Sequence, residues 1–169
     1  MKISLRDITI DYDNLRAIDD LSLEFHEGEI HALVGENGAG RSSLMSVLYG
    51  LNLNYSGKIL FNEKEIIWSS PKDAIQHGIG MVHQHFTLAE NLDALDNIML
   101  GSEKFLELRR NKSKAIQKVL KIMNDSGLVA PMNVAVGKLT VGERQRVEIL
   151  KALYRDVKIL VLDLSLIHI

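Results

Sequence analysis

The sequence of 169 residues contains no cysteine, so disulfide bonds and thiolate metal sites are excluded. It also lacks an excess of one charge: 20 basic against 22 acidic side chains leave a net charge of −2, which gives no general reason to expect a polyanionic partner. No apolar run approaches the length of a membrane span, and charged residues interrupt the N-terminus, unlike a signal peptide. These absences favour a cytosolic globular protein, and the length of 169 residues favours one domain.

Alternation of apolar residues predicts several strands, and a period near 3.6 predicts helices between them. The predicted strands lie in KISLRDITI, AIDDLSLEF, EIHALV, the hairpin-like SGKILFNEKEIIW, GIGMVHQ and the buried KILVLD. The predicted helices follow Gly40, Pro71 and Thr140, with a longer helical pattern from Leu92 to about Asn124 that Gly127 closes. We therefore predict that the helices between GIGMVHQ and KILVLD form an insertion between two parts of one α/β core.

The stretch GENGAGRSSL is a near match to a phosphate-binding P-loop and lies between a predicted strand and a predicted helix. Its glycines let backbone N–H groups turn inward, and the helix N-terminus adds partial positive charge. The hydroxyl of Ser42 would ligate Mg²⁺, and Ser43 could reach a phosphate oxygen. The candidate nucleotide-binding residues are Gly35, Glu36, Asn37, Gly38, Ala39, Gly40, Arg41, Ser42 and Ser43. A glycine-rich turn that binds nothing is the alternative.

Arg41 occupies the position where a P-loop has lysine. Arginine keeps the positive charge, but its side chain is longer and planar. We expect it to misplace the γ-phosphate more than it weakens overall anion binding.

A second motif, LTVGERQRVEILKAL, begins with a capping box formed by Thr140 and Glu143. An amphipathic helix with a good cap would explain that pair. It would not require Gly142 or the dipeptide Gln145-Arg146.

With these motifs in this order, the sequence resembles the ATP-binding subunit of ABC transporters. The family signature LSGGQ corresponds to Leu139, Thr140, Val141, Gly142 and Glu143. MVHQHF resembles the Q-loop region and places Gln84 at the glutamine that senses Mg²⁺ and water. KILVLD resembles the Walker B strand, with Asp163 at the magnesium-supporting carboxylate, and Tyr12 falls where the family has an aromatic residue against adenine.

The resemblance implies an α/β fold: a P-loop NTPase core of the ABC type, with an N-terminal antiparallel β subdomain and an inserted helical subdomain, truncated after the Walker B strand. We expect a single ATP-binding domain over residues 1–163. Its β subdomain and P-loop core would occupy about 1–84, its helical subdomain about 85–153 and its Walker B strand 157–163, followed by a non-matching tail at 164–169.

The same resemblance implies function. The motifs are most similar to those of importers of simple sugars and nucleosides, in which ATP and Mg²⁺ bind between the P-loop of one copy and the signature helix of another, head to tail. The implied partners are a second nucleotide-binding domain, transmembrane permease subunits and, indirectly, a solute-binding protein, with no nucleic acid. The implied location is the cytoplasm, on the inner face of the cell membrane.

The sequence departs from the family pattern after Asp163, where LSLIHI replaces a glutamate followed by proline and threonine. Leu164 stands at the position of the general base and cannot accept a proton. His168 lies too close to Asp163 to be the family's switch histidine. We expect LSLIHI to be a truncated or mis-framed end, and hydrolysis by this chain to be severely impaired.

Three alternatives remain open. A nucleotide-binding module without turnover would suit Arg41 and Leu164. A metal pair at His83 and His85 needs a third ligand that is not obvious, and the Q-loop accounts for both residues. A soluble ABC protein acting on DNA or ribosomes would use a basic stretch that is typical of a solvated helix face, formed by Lys104, Arg109, Arg110, Lys112, Lys114, Lys118 and Lys121.

Overall fold

The computed structural model describes residues 1–102 and 112–163. The chain forms two compact units, Met1–Ile79 and the part from Gly80 onwards. Within the described ranges, every helix is too short or too polar to cross a lipid bilayer.

The first unit is built on a four-stranded antiparallel sheet with the strand order β2-β1-β3-β4. Its strands are β1 (Lys2–Tyr12), β2 (Leu15–His26), β3 (Ser56–Phe61) and β4 (Lys64–Ile66). Strand β1 is paired on both sides and supplies fully buried side chains to the core, namely Ile3, Leu5, Ile8 and Ile10. The predicted strands in KISLRDITI and AIDDLSLEF are thus confirmed.

The alternation of buried residues in β1 changes phase once, between Leu5 and Ile8. The pairing of β1 with β2 shifts register at the same place, and Asp7 has a φ of 52°. The N–H of Asp7 donates instead to the Ser22 hydroxyl at 2.9 Å. At this irregularity β1 advances by three residues, from Leu5 to Ile8, while β2 advances by two. The one extra residue in β1 shifts the alternation, so that Ile8 and Ile10 face the core.

The predicted hairpin of β3 and β4 is confirmed, with a turn of two residues. Asn62 and Glu63 both have positive φ, 48° and 66°, and Phe61 pairs with Lys64. Two consecutive residues of this kind are typical of a type I′ turn, whose twist matches that of the strands. The turn comprises Asn62 and Glu63, and Lys64 is the first residue of β4.

Two short helices complete the first unit: α1 (Arg41–Leu48) and α2 (Pro71–Gln76). Helix α1 buries Leu44, Val47 and Leu48 on one face and is followed by Gly50 at a φ of 75°. Helix α2 begins with Pro71 at its first turn, as expected for a residue whose missing N–H costs nothing there.

The strand predicted from EIHALV is wrong. Residues 29–34 form no strand, and the side chains of Ile30 and Val34 are 100% and 92% exposed. A strand in a core needs a neighbour for its N–H and C=O groups. Among the strands described in the first unit, none pairs with this segment.

Strand β5 (Ile79–Val82) begins at the last residue of the first unit and continues into the second. The second unit also contains α3 (Ala94–Met99), α4 (Lys112–Ser126), a 3₁₀ turn (Val136–Lys138), α5 (Val141–Tyr154) and β6 (Ile159–Leu162). Strands β5 and β6 form a two-stranded sheet. Helices α3, α4 and α5 pack around a common apolar core that includes Leu95, Ile98, Ala115, Val119, Val147 and Leu150.

The continuous helical pattern predicted from Leu92 to about Asn124 is wrong in its middle. Helix α3 ends at Met99, and Gly101 has a left-handed φ of 76°, which a helix cannot continue through. Residues 103–111 lie outside the described part of the chain. The end of the pattern is confirmed, because α4 stops at Ser126 and Gly127 has a φ of 71°.

Strand β6 confirms the prediction from KILVLD, but it is less buried than expected. Val161 is 6% exposed, whereas Leu162 is 47% exposed. In the described ranges β6 is bordered by β5 alone, so its other edge is not covered by a strand.

Candidate nucleotide-binding site

The predicted phosphate loop leads directly into α1. Gly38 and Gly40 both adopt left-handed conformations, with φ of 88° and 79°, and the Ala39 N–H donates to the Glu36 carbonyl at 3.1 Å. Gly40 is the N-cap of α1 and has no side chain with which to cap the first turn. The N–H groups of that turn are therefore directed toward the loop, where the helix dipole favours an anion.

Gly40 also packs tightly against β2. A Cβ on Gly40 would lie 2.5 Å from the carbonyl oxygen of Ala17 and 2.8 Å from Cγ1 of Ile18. Both distances are shorter than non-bonded contacts allow, so only glycine brings the start of α1 this close to the sheet. Gly35 is confined more gently, with 3.0 Å between a hypothetical Cβ and the Ala39 Cβ.

The polar side chains of the loop are accessible. Glu36, Asn37, Arg41 and Ser42 are exposed, and Ser43 is half-buried at the first turn of α1. A cation and two hydroxyl groups thus stand beside the backbone amides that the glycines expose.

Tyr12 is the last residue of β1 and is 46% exposed. Its hydroxyl oxygen accepts a hydrogen bond from Nδ2 of Asn52 at 3.1 Å. The N–H of Asn52 donates to the carbonyl of Ser46 in α1. One end of the Tyr12 ring is therefore tied to the segment that follows the loop helix.

Two further predicted residues, Gln84 and Asp163, lie at one end of the β5–β6 sheet. The N–H of Asp163 donates to the carbonyl of Val82 at 3.0 Å, so the carboxyl ends of both strands lie side by side. Gln84, two residues after β5, is exposed, and Asp163 is half-buried. An amide oxygen and a carboxylate are donors that suit Mg²⁺.

The capping box predicted at the start of α5 is confirmed. The Thr140 hydroxyl oxygen accepts from the Glu143 N–H at 3.3 Å, and the Glu143 carboxylate accepts from the Thr140 N–H and O–H, each at 2.8 Å. These hydrogen bonds hold the pKa of Glu143 below its ordinary value. Val141 and Gly142 follow on the exposed first turn, and Leu139 is buried before it.

Comparison with known proteins decides which family these motifs belong to. The sequence profile described as ABC transporter matches residues 18–164, which include the phosphate loop, Gln84, the Thr140 cap and Asp163. The chain belongs to the ABC transporter family.

Curated relatives place it among the ATP-binding proteins of this family. The chain is 44% identical to a putative carbohydrate transport ATP-binding protein of Mycoplasma pneumoniae, over 96% of this chain and 31% of that protein. It is 40% identical to the nucleoside import ATP-binding protein NupA of Lactococcus lactis and 36% identical to the ribose import ATP-binding protein RbsA of Streptococcus agalactiae. Those alignments cover 95% and 96% of this chain, and 32% and 33% of the relatives. The chain thus spans about a third of their length.

Solved structures confirm the fold class. A nucleotide-free ATP-binding cassette from an ABC transporter superposes with a TM-score of 0.78 at 24% identity, over 96% of this chain and 68% of that one. The protein cbiO1 from Clostridium perfringens superposes with a TM-score of 0.75 at 22% identity, over 96% and 67%. The protein therefore has the mixed α/β fold of an ABC cassette, with the predicted antiparallel sheet in its N-terminal part.

Two buried polar residues, Glu148 and Asn97, bind the segment that follows Gln84 and were not predicted from the sequence. Glu148 in α5 accepts hydrogen bonds from the N–H and hydroxyl of Thr87, and Nζ of Lys151 donates to the Thr87 carbonyl at 3.1 Å. Asn97 in α3, fully buried, binds both the N–H and the carbonyl of Ala89. A signal was present in the sequence: Glu148 lies between Val147 and Leu150 on the apolar face of its helix.

The remaining candidates from the sequence are the pair His83 and His85, the basic stretch and the C-terminal residues. His83 is half-buried and His85 exposed, and the described residues contain no cluster of three or more His, Asp or Glu side chains that could hold a metal ion. In the basic stretch, Lys118 pairs with Asp156 at 2.7 Å and Lys112 with Asp96 at 3.5 Å. Lys104, Arg109, Arg110, Leu164 and His168, with the rest of LSLIHI, lie outside the described residues.

Proposed function

We propose that this chain binds ATP through the loop Gly35–Ser43 and, in the intact protein, couples ATP binding and hydrolysis to import of a sugar or a nucleoside. The observation that carries the proposal is the geometry of the loop: two left-handed glycines, Gly38 and Gly40, lead into a helix whose N-cap has no side chain. That arrangement favours a polyanion at the start of α1.

The side chains around the loop would each recognise a different part of the nucleotide. The guanidinium of Arg41 supplies positive charge toward the terminal phosphates, and the hydroxyl of Ser43 can donate to a phosphate oxygen. Tyr12, tied at its hydroxyl to Asn52, presents an exposed ring face on which adenine can stack.

The donor set also suits Mg²⁺. The oxygen ligands would be the hydroxyl of Ser42, the amide of Gln84 and the carboxylate of Asp163, which are the hard oxygen donors that Mg²⁺ prefers. Mg²⁺, when bound, neutralises charge on the phosphates and holds them for transfer. Gln84 would in addition orient the attacking water.

The signature segment would act on a second copy of the domain. In a head-to-tail dimer, the N–H groups of Val141 and Gly142 on the exposed first turn of α5 would donate to the γ-phosphate bound by the partner. Thr140, whose N–H and hydroxyl donate to Glu143, would hold that turn in place. Each copy would then hold half of each site, and closure around two ATP molecules would move the attached permease subunits.

The relatives' names support the solute class, since they are carbohydrate, nucleoside and ribose import proteins. The permease subunits would anchor the chain to the inner face of the cell membrane, and a solute-binding protein would deliver the solute. Which sugar or nucleoside is bound would be decided by those partners.

A nucleotide-binding module without turnover is the second candidate, because Arg41 and Leu164 occupy the positions of the lysine and the general base. Turnover by the unchanged chain should be severely impaired, since leucine cannot activate water.

Titration with Mg-ATP, run beside a phosphate-release assay, separates the two candidates. We expect binding by the unchanged protein, and faster phosphate release by a dimer that combines Arg41→Lys with a C-terminus restored to the family pattern from residue 164. Binding without any release by this variant would contradict transport ATPase function and favour the module. Co-purification with permease subunits tests the assignment to an importer.

A further inference from the structure

All three polar backbone and side-chain groups of Thr87 are bound by one helix. Its N–H and its hydroxyl donate to Oε1 of Glu148, and its carbonyl accepts from Nζ of Lys151 at 3.1 Å. Glu148 and Lys151 are three residues apart in α5 and lie on the same face of it. Thr87 itself belongs to the irregular segment after β5.

This contact takes one charged group, the Glu148 carboxylate, out of water, whereas Lys151 is half-buried and Thr87 is exposed. Glu148 is 6% exposed, beside the buried Val147 and Leu150. A carboxylate in such a place is destabilising unless hydrogen-bonded donors surround it, and Thr87 supplies two. Burial also lowers the pKa of the Lys151 ammonium, against the opposing effect of the nearby Glu148 carboxylate. An apolar side chain would pack here without these costs, so the pair fixes Thr87 rather than merely filling the core.

The segment is fixed a second time two residues later. Oδ1 of Asn97 accepts from the Ala89 N–H at 2.7 Å, and Nδ2 of Asn97 donates to the Ala89 carbonyl at 3.0 Å. Thr87 is thus held at α5 and Ala89 at α3. Gln84 precedes Thr87 by three residues, a span of at most about 11 Å even when fully extended.

We propose that Glu148 and Lys151 are positioning residues for Gln84: by anchoring Thr87 they tie the position of the Gln84 side chain to that of α5. The inference rests on the proposed function, in which Gln84 orients water and Mg²⁺ at one nucleotide. The N-terminus of the same helix, eight residues before Glu148 and about 12 Å along its axis, would face the nucleotide of the partner. Movement of α5 would then change both sites together.

A double-mutant cycle in the intact protein that carries this sequence tests the inference. Glu148→Ala should lower kcat for ATP about tenfold and leave KM within about twofold, because displaced catalytic groups cost rate more than binding. Glu148→Gln, which keeps an oxygen acceptor for the Thr87 N–H, should recover most of the loss. In a Gln84→Ala background, Glu148→Ala should change kcat by less than about twofold, because it acts through Gln84.

Glu90→Gln is the matched control. Glu90 lies in the same segment, but its side chain is 74% exposed and pairs with Arg144 at 3.4 Å, so its loss should leave kcat unchanged. Equal losses from Glu148→Ala with and without Gln84, or a loss from Glu90→Gln as large as that from Glu148→Ala, would overturn the inference.

Hydrogen exchange separates this inference from the proposed function. In Glu148→Ala, the amide of Thr87 should exchange at least about tenfold faster than in the unchanged protein, since the acceptor of its N–H is removed. Unchanged protection overturns the anchor whether or not the protein hydrolyses ATP. If the unchanged protein releases no phosphate, the proposed turnover fails, and hydrogen exchange alone decides whether Glu148 anchors Thr87.

Discussion

Replacing Gly40 with alanine should lower the free energy of unfolding of the first unit. The size of the loss can be estimated by comparison with the same substitution at Gly28. Gly40 and Gly28 both have a left-handed φ, of 79° and 80°. A Cβ on Gly40 would lie 2.5 Å from the Ala17 carbonyl oxygen, whereas a Cβ on Gly28 would meet nothing within 4 Å. The two substitutions thus share the conformational cost, and only Gly40→Ala adds an overlap.

The magnitudes follow from these two terms. A left-handed conformation costs an alanine about 1–2 kcal/mol, which is the whole loss of unfolding free energy expected for Gly28→Ala. Overlap in a packed region adds about 1–3 kcal/mol, so Gly40→Ala should lose about 2–5 kcal/mol. Because relief of the overlap moves the start of α1 away from β2, Gly40→Ala should also weaken Mg-ATP binding, and Gly28→Ala should not.

Urea unfolding followed by tryptophan fluorescence measures the effect. Trp68 is the only tryptophan in the sequence, is 3% exposed and belongs to the same unit as both glycines. Equal losses of stability in the two variants would refute the close packing of Gly40 on β2, and unchanged Mg-ATP affinity in Gly40→Ala would refute the placement of the phosphates at the start of α1.

Three further substitutions test other parts of the account. Arg41→Lys should raise the affinity for Mg-ATP severalfold relative to Mg-ADP in competition titrations, because a compact ammonium fits the γ-phosphate better; an unchanged ratio would contradict the role given to Arg41. Thr140→Ala removes the N-cap of α5 and should cost about 1 kcal/mol, or about 2–4 °C in Tm by circular dichroism. Asn97→Leu leaves the buried Ala89 N–H without its acceptor and should cost about 3 kcal/mol in urea unfolding; a loss under about 1 kcal/mol would show that water replaces the amide.

The features predicted correctly depend on residues close together in the chain. The capping box of Thr140 and Glu143 spans one helical turn, and the turn at Asn62 and Glu63 spans two residues, so local preference decides both. The burial of Ile3 and Leu5 follows from alternation. The change of phase at Asp7 could not be predicted, because it depends on the pairing of β1 with β2.

The features predicted wrongly or not at all depend on partners far along the chain. The pattern of EIHALV is that of a strand, but alternation cannot tell whether a neighbour is available for its backbone groups. Thr87 and Glu148 are separated by 61 positions, so their hydrogen bonds leave no local pattern. The one signal in the sequence was the position of the Glu148 carboxylate on the apolar face of its helix.

The loop Gly35–Ser43 is proposed to bind nucleotide through its phosphates, and calorimetric titration of the folded protein with Mg-ATP and with adenosine tests this. We expect saturable heat with Mg-ATP, much weaker binding of adenosine, and weaker Mg-ATP binding in Gly40→Ala but not in Gly28→Ala. No heat with Mg-ATP, or equal binding of adenosine, would contradict it.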